Sequence, residues 1–162
     1  MNADSREDGA AKKPLDANLL SALVVAIAGF VLLNLTFLLY FVVFRFFDIF
    51  VRGSPESIPQ WIVPVRSAVF LVIIALASWL VFRSKLPVLA KATFLTVPAA
   101  VILVFTGIAL YDFQVLSYII GVLITLGAVL YFYRTHRHWL YYYSVILTAL
   151  ALMIFGLAGG EI

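Results

Sequence analysis

The sequence predicts an all-α integral membrane protein: a bundle of about five transmembrane helices, with the N-terminus cytoplasmic and the C-terminus outside. Three observations predict it. Hydrophobic residues make up 65% of the chain and charged residues 12%, with a mean hydropathy of +1.12, whereas soluble domains run about 45–50% and about 25%. Five apolar stretches, each near the length that crosses a bilayer, fill the chain after Asp16. The Lys and Arg residues between them fall mostly on alternate connections, the signature of an oriented bundle.

Residues 1–18 are polar and mixed in charge, and are read as a disordered cytoplasmic tail. Ala26-Ile27-Ala28 resembles a signal cleavage site, but apolar sequence continues to Phe44, far beyond an h-region of about 7–15 residues. A retained first span is expected over 19–44. Its 26 residues reach about 39 Å as a helix, more than the roughly 30 Å hydrocarbon core, so it tilts or protrudes. Beyond it, Arg45, Asp48 and Arg52 recur at helical spacing among phenylalanines, as at a helix end leaving the interface. Gly53, Pro55 and Pro59 then break the helix.

The second span is placed at 61–82, entered through Trp61 and Pro64, with Arg66 reaching toward headgroups. Arg83, Lys85, Pro87 and Lys91 form the next connection. The third span, 92–111, contains Pro98, which predicts a kink. The break Asp112-Phe113-Gln114 is so short that the fourth span, 113–132, must return antiparallel; full crossings are preferred over a re-entrant hairpin on length. Arg134 to His138 is the last turn, flanked by Tyr131, Tyr133, Trp139 and Tyr141, and 139–158 is the fifth span. With this segmentation 8 basic residues share the side of the tail and 3 lie opposite, which sets the orientation.

The stretch from Ile58 to Arg66, with Pro59, Trp61 and Pro64, is similar to the Pro/Trp-rich entry to the second helix of translocator (tryptophan-rich sensory) proteins. The likeness spans about one turn of sequence on either side of Trp61 and does not extend to the third and fifth spans. No ligand residue or function is carried over from it.

Candidate sites follow from polar groups that hydrocarbon cannot satisfy. Asn34, mid-span, is expected to hydrogen-bond a neighbouring helix, with solute contact as the alternative. Arg45, Asp48, Arg66, Asp112 and Gln114 share the outer side; an ion-paired set is expected if their helices adjoin, and a shallow solute vestibule is the alternative. Ala92, Thr96 and Ala100 on the third span and Ser117, Gly121 and Thr125 on the fourth form small-residue stripes, expected to pack on each other. His136 and His138 flank Arg137 in a turn better suited to lipid headgroups than to a metal.

No catalytic, metal or cofactor residue is assigned. The chain has no cysteine, and no Gly-rich phosphate loop or hydrolase motif is present. Both histidines lie on the opposite side from Asp48, Glu56, Asp112 and Glu161, which argues against acid–base catalysis. The expected function is therefore a non-enzymatic accessory or scaffold subunit of the plasma (inner) membrane. Its partners are the bilayer and another membrane protein or further copies of itself, with no nucleic acid. A small-solute or ion channel or transporter protomer is the second reading.

Overall fold

α1 (Pro14–Val51), α2 (Ile62–Arg83), α3 (Val88–Ala109), α4 (Gln114–Arg134) and α5 (Trp139–Leu157) make up the fold. The computed structural model describes residues 14–51 and 62–157, with side chains described over 17–49 and 64–156. Arg52, Glu56, the Gly53–Pro59 break, Trp61, residues 1–13 of the tail and Glu161 lie outside the described residues. Each helix is long and apolar enough to cross a membrane.

α1 begins at Pro14, inside the stretch read as tail. Proline suits a first helical turn because its fixed φ is already helical and its missing N–H has no partner there anyway. The helix then continues through Arg45 and Asp48 to Val51, 38 residues in all, or about 57 Å. α3 and α4, with 22 and 21 residues, measure about 33 and 32 Å, each a match to the roughly 30 Å core. α3 runs through Pro98 without interruption.

α3 is the centre of the bundle and touches every other helix, while α2, α1, α5 and α4 form an arc around it. α2 and α4 do not meet, so the arc is open between them. Two buried clusters hold this arrangement. Toward the end carrying the basic turns, Val25 of α1, Ala92 of α3 and Leu140 and Tyr141 of α5 pack together, with Phe132 of α4 against them. Toward the other end, Phe70 and Ile74 of α2 pack with Val97 and Val101 of α3, beneath Leu32 and Tyr40 of α1 and Phe105. Phe70 is gripped by two rings: Tyr40 edge-on at 5.1 Å and Phe105 stacked at 6.2 Å, separations at which aromatic pairs attract.

These clusters also fix direction. The earlier parts of α1, α3 and α5 share one cluster, and Arg66 and Phe70 in the first half of α2 meet Phe44 and Tyr40 late in α1 and Phe105 late in α3. Successive helices are thus antiparallel. α4 is the exception in packing: it contributes no buried residue, and its upper half leaves an apolar cleft of about 210 Å³ against α3 and α5.

Candidate functional site

Inside the spans, most serine and threonine hydroxyls are satisfied locally. Thr36, Ser78, Thr93, Thr106, Thr125 and Thr148 each donate to a carbonyl three or four residues back in their own helix, the usual way hydroxyls survive without water. Ser144 differs. Its side chain is wholly buried, and Oγ lies 2.7 Å from Leu140 O of its own helix and 2.7 Å from Ala92 O of α3. One hydroxyl proton is shared between them, tying α5 to α3.

Ala92, Thr96 and Ala100 are all buried, and the first two of them meet helices other than α4. Ala92 receives Ser144 from α5, and Thr96 lies against Gly29 of α1, where a Cβ would come within 3.0 Å of Thr96 Cγ2. The fourth-span stripe is half-exposed and lines the cleft. Ser117, Gly121 and Thr125 face Leu103 and Gly107 of α3 and Ala149 of α5 there, and a Cβ on Gly121 would meet Leu103 only at an ordinary 3.7 Å. The reason is the order of the helices around α3: its tightest seams are with α1 and α5, elements far away in sequence.

Among the described residues Asn34 forms no interhelical bond. It is exposed on α1, and its Nδ2 donates to Phe30 O of the same helix at 2.8 Å. That bond satisfies one donor and leaves Oδ1 without a hydrogen-bond donor among the described residues.

The outer polar set divides. Arg66 stacks its guanidinium on Phe44 of α1, with Cζ only 3.3 Å from the ring centroid, and its Nε is buried with no hydrogen-bond partner. The ring's negative face takes the place of a carboxylate. Arg45 lies 5.2 Å over Phe41 on its own helix. Asp48 is half-buried near the end of α1. Asp112 and Gln114 are exposed at the α3–α4 turn, where their hollow is lined by residues 111–119 alone. The residues lining that hollow include none of the arginines, and α4 touches neither α1 nor α2.

At the opposite end, the α4–α5 turn has a defined geometry. Arg137 N–H donates to Phe132 O at 3.1 Å and His136 N–H to Tyr133 O at 3.2 Å, while His136 has a φ of +48°. This is the Schellman ending of a helix, with a histidine where glycine is usual. His138 Nδ1 accepts the Leu140 N–H at 3.4 Å, which caps α5. The two histidines therefore do different things, and among the described residues no three of His, Asp and Glu gather as a metal set.

Gly29, Ser144 and Gly156 escaped the sequence reading. Gly156 lets Tyr118 approach so closely that a Cβ would stand 2.9 Å from its hydroxyl. Ser144 and Thr148, four apart in a helix of otherwise aliphatic and aromatic residues, were the available signal for the α5 seam. No protein-family model, no curated protein and no solved structure matches the chain.

Proposed function

We propose that the chain is a non-enzymatic accessory or scaffold subunit that binds other membrane proteins, with its N-terminus on the cytoplasmic side of the plasma membrane. Asn34 carries this reading. An amide oxygen facing hydrocarbon without a donor is unfavourable by about 1–3 kcal/mol, and a donor on a docked helix removes that penalty. The exposed Phe30, Phe37, Leu38 and Phe41 lie one turn or two turns from Asn34 on the same face, so an incoming helix meets an apolar ridge with one polar point. Interhelical hydrogen bonds of this kind contribute about 0.6 kcal/mol on average, enough to set register within a larger packed contact.

The lack of catalysis is supported by separation. His136 lies at one end of the bundle and Asp112 at the far end of α3, about 33 Å along that helix. A transport path within one copy is disfavoured because Asn34 lies on the outer surface of α1.

Two measurements test the proposal. In mild detergent, the wild-type chain is expected to co-purify with a different membrane protein, and Asn34→Leu to recover about threefold less of it at unchanged melting temperature. A monomer without a partner refutes the subunit reading, and a homo-oligomer shifts support to the transport reading. For orientation, a C-terminal reporter that works only in the cytoplasm is expected to stay silent, and activity would reverse the assignment.

A further inference from the structure

The basic end of the bundle carries a second surface, independent of α1. Arg83 and Lys85 close α2 and its turn, Lys91 lies in the first turn of α3, and Arg134, His136, Arg137 and His138 fill the α4–α5 turn. The two turns are held at one level, because Ala92 packs on Leu140 and Tyr141 and accepts the Ser144 bond at 2.7 Å. No acidic side chain is described at this end; Asp16 and the acids before it lie outside the described side chains.

Three of these groups are already engaged. Lys91 Nζ donates to Phe82 O at 3.0 Å, stabilising the carbonyl end of α2. Arg83 lies 5.1 Å over the Trp79 ring, and His138 caps α5. Lys85, Arg134, His136 and Arg137 are exposed, and their side chains make no hydrogen bond or ion pair with the described residues. His136 also occupies a left-handed backbone position, in which glycine is free of strain and histidine is not. Nothing in the bundle requires an imidazole there, since the Schellman bonds are made by backbone alone.

We propose that the Arg134–His136–Arg137 turn is a binding site for the phosphate of an anionic lipid headgroup, with Arg83, Lys85 and Lys91 supplying the surrounding positive field. Two guanidinium forks match phosphate oxygens in a bidentate way, and the imidazole adds a further donor. A lipid rather than an acidic protein segment is the occupant because of depth. Exposed Tyr131, Tyr133 and Trp139 ring the same turn, and such rings sit at headgroup level, where outward-facing arginines meet lipid phosphates. The left-handed His136 fits this account: strain is retained where a side chain has a task.

The test uses the full chain purified in detergent and offered an equal mixture of phosphatidylglycerol and phosphatidylcholine, with retained lipid counted by native mass spectrometry. Wild-type protein is expected to retain phosphatidylglycerol preferentially. Arg134→Gln and Arg137→Gln are each expected to lower that preference about fivefold, the loss expected for one basic residue at an anionic surface. His136→Gly is expected to raise the melting temperature and yet lower the preference, which separates a binding role from a structural one. Absence of preference in the wild type, or an unchanged preference in the double arginine variant, overturns the proposal. Displacement of the lipid by inorganic phosphate alone would assign the site to the free anion and overturn the lipid source. Loss of a co-purifying acidic protein with lipid retention unchanged would likewise overturn it.

Discussion

Replacing Ser144 by leucine is expected to destabilise the bundle by about 3 kcal/mol, as measured by thermal or denaturant unfolding in detergent micelles. Ser144 has no accessible surface, and its Oγ is 2.7 Å from the α3 backbone at Ala92. A leucine there must push α5 away from α3, and overpacking of this kind costs about 1–3 kcal/mol, sometimes more. The interhelical bond adds its own loss, about 0.6 kcal/mol on average in membrane bundles. Ser144→Ala removes the bond and leaves the space, so it is expected to cost only about 1 kcal/mol or less. An equal effect of both substitutions would mean that α3 and α5 are not in close contact at this level.

The second large effect is expected at Gly29. Gly29→Leu is predicted to cost about 2–3 kcal/mol in the same unfolding measurement, because Thr96 Cγ2 stands only 3.0 Å from where a Cβ would be and leaves no room for the rest of the side chain. Gly29→Ala alone is a poor probe, since the helix-propensity gain of about 1 kcal/mol opposes the clash. A double-mutant cycle removes that ambiguity. Thr96→Ala deletes both atoms that would crowd the new methyl, the Cγ2 at 3.0 Å and the Oγ1 at 3.2 Å. A favourable coupling of about 1 kcal/mol between Gly29→Ala and Thr96→Ala is therefore expected. Additive effects would show that α1 and α3 do not meet there.

Both seams show where sequence reasoning reaches its limit. Five apolar helices were legible, since hydropathy and length respond to the bilayer core irrespective of how helices pack. Which face of each helix meets a neighbour was not. Lipid and protein are nearly equally apolar surroundings, so the residues around a span carry no strong period separating inside from outside. Asn34 illustrates this: its polarity marked it as needing a hydrogen-bond partner, but not that the bond would go to Phe30 O four residues back nor that the residue would face outward. The α3 stripe was recognised as a packing surface, yet was matched to α4 because neighbours in sequence are usually neighbours in space. Ala92 and Thr96 instead meet Ser144 and Gly29, drawn from elements on either side of the chain. The outer arginines looked like one set with Asp112, but Arg66 and Arg45 lie over Phe44 and Phe41, and the Asp112 hollow is lined by residues of its own turn and of α4.

The Ala92–Ser144 seam has a consequence in time. The two residues are 52 positions apart, and synthesis at about 5–20 residues per second delivers the second some 3–10 s after the first. During that interval the rest of α3 and all of α4 are made, and α3 stays bare on its α5 flank. α5 thus completes the core around Ala92, and a ribosome that stalls after α4 leaves that flank of α3 uncovered.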